Sequence, residues 1–183
     1  MAIATKQIKS SGSVGGGYSL DKARWPEGSS IISNHALRFI WVFRKARTSR
    51  NPLWRLMLAR MRERYGLEIP WKTQIGEGLY LGHAFNITVN PSAEIGRNCN
   101  IHKGVTIGQE NRGKRKGAPT IGDDVWIGVN ATIVGSIKVG SDVLIAPGAY
   151  VNCEVPNHSI VLGNPCKVVP CKNATEGYIN RRI

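Results

Sequence analysis

The 183-residue sequence has no run of about 18 apolar residues, so no membrane-spanning helix is expected. Its opening stretch, MAIATKQIKSSGSVGGGYS, lacks the apolar centre of a secretory leader, and a cytoplasmic protein is the expectation. The four cysteines, Cys99, Cys153, Cys166 and Cys171, lack the paired spacing of a metal site, so no metal is expected. Cys166 and Cys171 can pair, but nothing else points to an oxidising compartment. No zinc finger, recognition helix or stacking platform is visible, which argues against nucleic acid as a partner. Acidic residues are scarce, 12 against 25 basic, leaving a net charge of +13. That balance suits an anionic partner, either a membrane surface or a phosphorylated cofactor or substrate.

What is present is a ladder. Ile121, Ile127, Ile133, Val139, Ile145 and Val151 recur every six residues, and Ile75, Leu81, Val89, Ile95, Ile101 and Ile107 keep the step upstream. Four places after most rungs stands a small or apolar residue, among them Ala93, Cys99, Val105, Val125, Ala131, Val143 and Ala149. A period of six matches neither the 3.6-residue helix nor one long alternating strand. Short repeats of this kind mark a β-helix, in which each hexapeptide supplies one short strand and one corner. The sequence therefore predicts a mainly β protein, a parallel β-helix with a short N-terminal helical extension. Cys99 falls in an inward slot, where a buried free thiol is expected.

Around the ladder the chain divides into four parts. Residues 1–28 read as a poorly ordered arm, or one that docks on a neighbour. Residues 29–67 read as a basic helical hairpin, its first helix running from Ser29 and carrying Ile32, Ala36, Phe39, Ile40 and Phe43 at helical spacing. Pro52 opens the second helix with Asn51 as cap, and Gly66 ends it. The hairpin either caps the open end of the ladder or meets anionic lipid at the inner membrane face, with Phe39, Trp41 and Phe43 as anchors. Residues 68–169 form the ladder domain, and 170–183 a polar tail.

Two interruptions break the ladder. Two extra residues enter between Leu81 and Val89, just after His83, and eight enter after Ile107, in the basic, Gly-rich loop 109–117. Departures from a regular scaffold are where function concentrates. Eighteen residues make one triangular turn, so Lys103 falls over His83 with His102 beside it. Of four histidines, these two fall beside both interruptions, which the stacked geometry is expected to make neighbours. A neutral imidazole, ordinarily of pKa near 6.5, suits a general base. Glu68, fifteen residues before His83, is a candidate to orient it.

These segments resemble the hexapeptide-repeat acyltransferases, closest to the serine acetyltransferase-like group with its polysaccharide O-acetyltransferases. The likeness rests on His83-Ala84-Phe85-Asn86-Ile87, Ala93-Glu94-Ile95-Gly96, Val105-Thr106-Ile107-Gly108, Ile121 to Gly128 and Gly163 to Val168. It implies a left-handed coil, against the usual right-handed crossover, and a homotrimer with sites between neighbouring prisms. It implies acetyl-CoA as co-substrate, His83 as the base that deprotonates the hydroxyl, and Glu68 as its orienting acid. It places cofactor contacts at Gly108, Gly128, Val129 and Ala146. Charge alone adds Lys114, Arg115 and Lys116 as partners of the CoA phosphates. His102 and Lys103 are the substrate-side candidates, and either they or backbone amides stabilise the oxyanion.

The resemblance departs at two places. Serine acetyltransferases carry Asp before the base, where this chain has Gly82, and an Arg-His pair where it has Gly117-Ala118. An amino acid needs matching charges, so the reading is O-acetylation of a saccharide, in capsule or exopolysaccharide synthesis. Serine acetylation for cysteine biosynthesis is the alternative. A non-catalytic β-helix scaffold, and a zinc carbonic anhydrase using His83 and His102 with a poorly placed His158, are the other classes.

Overall fold

The computed structural model describes residues 16–183; the expected disorder of residues 1–15 lies outside them. The ladder folds into a three-faced prism of parallel strands. The first face stacks Leu67–Glu68, Ile87–Val89, Thr106–Gly108, Thr132–Val134 and Tyr150–Val151. The second stacks Gln74–Ile75, Glu94–Ile95, Thr120–Ile121 and Lys138–Val139. The third runs from Tyr80–Gly82 through Asn100–His102, Val125–Ile127 and Val143–Ile145 to Ser159–Leu162, and closes with antiparallel Lys167–Pro170. Register follows the rungs: Leu81 pairs with Ile101, Ile101 with Ile127, and Ile127 with Ile145. Each insertion is absorbed in a corner and leaves the stack in phase.

The rungs and the small slots after them are buried and form one core. Burial of an aliphatic side chain contributes about 1.5–3 kcal/mol, so a stack of aligned rungs holds the corners firmly. Many corners turn through a residue of positive φ, commonly Asn or Asp: Asn86, Asn98, Asp124, Asn130 and Asp142 lie between 53° and 58°. Short polar side chains tolerate this left-handed region better than most.

Helix α1 spans Gly16–Ala23, α2 His35–Thr48 and α3 Leu53–Tyr65. The expected arm is therefore helical from residue 16 and docked on its own prism. Asp21 is fully buried, held by Arg44 at 2.8 and 3.0 Å and by the Leu79 amide at 2.8 Å. Arg24, also buried, donates to the Gly78 carbonyl and to Asn100 Oδ1, each at 2.7 Å. Burial pulls its pKa below the usual guanidinium value.

The hairpin starts later than its periodicity suggests. Asn34 caps α2 by accepting from the Ala36 and Leu37 amides, which leaves Ile32 outside the helix and 84% exposed. The proposed membrane anchors face inward: Phe39 and Phe43 are fully buried, and Trp41 packs edge-on against Trp54 at 4.9 Å. Two of the basic residues serve the prism as well. Arg44 donates to the Ile75 and Gly76 carbonyls, and Arg47 to that of Thr73. Gly66 ends α3 at φ 63°, as a C-terminal glycine should. Among the described residues no helix is long and apolar enough to cross a membrane.

All four cysteines are free. Cys99 fills its inward slot, and burial pushes its thiol up to about 12. The neighbour of Cys166 is Cys153, Sγ to Sγ 3.6 Å, and not Cys171. The tail crosses the third face and does not fray: Thr175 is buried and bonds Asp142, and Arg182 reaches Asp124.

Candidate active site

His83 opens the corner between the third and first faces, at φ 51°. His158 shares that strained conformation at φ 56°, so strain alone does not single out His83. Their partners do. His158 Nδ1 is bound to Asp142 Oδ2 at 2.8 Å, whereas the exposed His83 ring has no hydrogen bond to any described residue. An exposed, uncommitted imidazole on a rigid corner is available for chemistry. His158 stands in register with Asp142, at the corner between the second and third faces, so the three histidines do not meet. Among the described residues no group of His, Cys, Asp and Glu is arranged to hold a metal.

The register places Lys103 over His83, since Gly82 pairs with His102. Continued upward, the same corner carries Gly128, Val129 and Ala146, because Ile127 pairs with Ile145. A Cβ on Gly128 would stand 2.6 Å from the Pro147 nitrogen, so that glycine serves the close approach of two turns. Gly108 lies at the opposite edge of the first face, where it precedes the basic loop. The expectation that the two interruptions are neighbours is therefore corrected: within one chain a strand's width of the first face separates them. The loop meets the end of Ile87–Val89 through Asn90 and Gln109, at 3.2 Å, and not His83.

The loop is itself folded. Glu110 and Gly117 exchange backbone hydrogen bonds of 3.0 Å, and Arg115 pairs with Glu110 at 3.1 Å. Arg115 is thus partly neutralised, while Lys114 and Lys116 stay exposed without ion pairs to described residues. Glu68 is exposed beside Thr88, and no hydrogen bond or ion pair joins it to His83.

The two-residue bulge after His83 packs against the helices. Phe85 meets His35 and Tyr65, with ring centroids 4.7 and 5.8 Å away, and His35 Nε2 donates to the Ala84 carbonyl at 3.1 Å. Between α2 and the third face lies a cleft of about 320 Å³, lined by Trp25, His35, Gly82, His83 and His102 among others. Trp25 packs at a tilt against Tyr80, ring centroids 4.4 Å apart. Sequence reading missed Trp25 and His35 as wall residues. Its only hints were Arg24-Trp25-Pro26 at the end of the arm and the capping Asn34 just before His35.

His102 is half-buried. Its Nδ1 donates to the Ile127 carbonyl at 2.9 Å, and its ring lies 4.7 Å from that of Trp126. Burial lowers its pKa; the Ile127 bond opposes this, and the nearby His83 adds to it. His102 is therefore a neutral ring with Nδ1 protonated and Nε2 carrying a lone pair. Such a ring cannot donate from Nε2, which removes it as a stabiliser of an oxyanion.

A single coil of hexapeptides, with a free imidazole at one corner and a basic loop at another, defines a hexapeptide-repeat transferase. Residues 118–153 match the family model described as bacterial transferase hexapeptide (six repeats). The chain belongs to that family, whose repeat fits a left-handed β-helix. It is 35% identical over 136 residues to serine acetyltransferase 2 of Arabidopsis thaliana, covering 74% of this chain and 42% of that protein. It is 38% identical over 104 residues to the serine acetyltransferase of Bacillus pumilus, covering 57% of this chain and 48% of that one. The chain thus spans about half the length of these curated relatives. Among solved structures, Neisseria gonorrhoeae serine acetyltransferase in complex with serine superposes with a TM-score of 0.70 at 32% identity, covering 85% of this chain and 67% of that one. Serine acetyltransferase from Brucella abortus in complex with coenzyme A gives 0.73 at 26%, with coverage of 85% and 67%.

These likenesses overturn the saccharide reading. The relatives at 35–38% identity and the structural neighbours are serine acetyltransferases. That reading took Gly82 for a site stripped of a polar group. At this position the His102 ring occupies the space over Gly82, so the corner is not without a polar group.

Proposed function

We propose that this protein is an acetyl-CoA-dependent O-acetyltransferase whose hydroxyl substrate is serine. The observation that carries the reading is His83: exposed, bonded to no described residue, and held by the stack on the corner column of Lys103 and Val129. His83 removes the proton from the serine hydroxyl as its oxygen attacks the thioester carbonyl. The C–S bond then breaks, and the coenzyme A thiolate leaves with a proton. No acyl-enzyme forms. Glu68, on the strand beside Ile87–Val89, is the carboxylate we assign to orient His83; catalytic hydrogen bonds often tighten only in the substrate complex.

The cofactor reading rests on the corner of Gly128, Val129 and Ala146 for the pantetheine arm, and on Lys114 and Lys116 for the phosphates, with Gly108 at the root of the loop. Because the loop and His83 stand at opposite edges of one face, a complete site requires the loop of a second copy. This supports a homotrimer with sites between prisms. The test is coenzyme A release from acetyl-CoA with and without serine, beside His83→Ala. Serine-dependent release that disappears in the variant is expected; no serine-dependent release from the wild type would sink the reading.

A further inference from the structure

Gly82 and His102 form a matched pair. They stand in register on the outer side of the third face, and a Cβ built on Gly82 would lie 2.3 Å from Cδ2 and 2.6 Å from Nε2 of His102. The ring can occupy this place only because residue 82 has no side chain. Its Nδ1 is fixed by the Ile127 carbonyl, so Nε2 presents a lone pair that no described protein group satisfies. Both residues line the cleft that also holds His83.

The cleft contains no carboxylate among its described lining residues. Several of its other polar groups are committed, and His83 is reserved for the hydroxyl. Asn34 Oδ1 receives the Ala36 and Leu37 amides, Ser33 Oγ is paired with Ser30 Oγ, and the His35 ring bonds Ala84. A hydroxyl substrate that carries an ammonium group must place that group against a hydrogen-bond acceptor when it leaves water. We infer that His102 Nε2 receives the ammonium group of the hydroxyl substrate and so selects a β-hydroxy amino acid over the same molecule without its amine. This rests on the serine reading above and names the residue that enforces it. His102 is a specificity residue: it binds the substrate beside the reacting hydroxyl and takes no part in the proton transfer made by His83.

The test compares serine with 3-hydroxypropionate, which keeps the hydroxyl and carboxylate and lacks the amine. In His102→Asn the amide can still donate to Ile127, while nothing remains at the Nε2 position. The wild-type preference for serine over 3-hydroxypropionate, as kcat/KM, is expected to fall about tenfold or more, the scale of a hydrogen bond to a charged group, chiefly through the KM for serine. Gly82→Ala, which keeps the imidazole but displaces it, is expected to erode the same preference. Melting curves show whether each variant is folded. Equal loss on both substrates, or an unchanged preference in a folded His102→Asn protein, overturns the inference and leaves the serine reading intact. Failure of the wild type to use serine at all overturns that reading, and this inference with it.

Discussion

Two edges of the first face carry the two interruptions of an otherwise regular coil, and they are built differently. At one edge His83 is a single residue in a costly conformation, exposed and with its ring bonded to no described residue. At the other, residues 109–117 form a small folded loop whose Arg115 is already spent on Glu110. One edge presents a precise point, the other a diffuse field of charge. A proton-abstracting group must be placed within hydrogen-bond reach of its target. Phosphate groups attract lysines over a longer range that salt screens. On the function proposed above, the stack therefore needs to hold His83 rigidly and can leave Lys114 and Lys116 on a loop.

The largest expected effect breaks the comparison at its precise edge. His83→Ala should lower kcat by about 10²–10⁴-fold, the usual share of a general base, with little change in melting temperature. A loss below tenfold in steady-state coenzyme A release would move the base elsewhere. Next comes the stack that holds both edges. Ile107→Ala removes a fully buried rung just before the loop and should cost about 2–5 kcal/mol in denaturant unfolding.

A third experiment asks whether the two edges meet across a subunit boundary. Chains with His83→Ala and chains lacking residues 110–116, each inactive alone, should regain serine-dependent activity when refolded together. No recovery would place a complete site within one chain. A smaller effect is expected at the diffuse edge. Lys114→Ala with Lys116→Ala should raise the KM for acetyl-CoA about tenfold at low salt, and the difference from wild type should shrink as salt rises.

The smallest effect concerns a corner outside this comparison, where Asp142 ties down the tail. Burial alone would raise its carboxyl, but bonds from Thr175, His158 and the Thr175 and Ala174 amides outweigh it and bring it from 3.8 to about 2. Its folded pKa is depressed, so the stabilisation is complete above pH 3.8 and is lost as pH falls towards 2. The melting temperature of Asp142→Asn should lie below wild type at pH 5 and converge with it near pH 2. A constant gap across that range would show that the ionised carboxylate is not what holds the tail.

Much of the fold was legible because the physics of a rung is local. An apolar residue every sixth position, with a small one four places on, can be read without knowing what packs on it, and Ile75 through Val151 are buried as that pattern requires. The corner position of His83 was legible too, because an insertion beside a histidine is visible in one dimension. The hairpin was legible as helices but not as a surface. Phe39, Trp41 and Phe43 satisfy both a lipid-facing and a prism-facing helix, and only the packing distinguishes them. Acceptor choice was misread for a related reason: Gly82 registers in sequence as an absence, although a residue twenty positions later fills the space.

The sequence by itself determined the coil, its register and the two places where it is interrupted, because each depends on residues a fixed number of steps apart. Tertiary structure decided the rest. It folded part of the arm into the wall of a cleft, through Asp21, Arg24 and Trp25. It set the loop and His83 at opposite edges of one face, and laid the His102 ring over a glycine in the wall of the cleft. Those outcomes depend on which side chains share space across turns and helices, and no linear spacing encodes that.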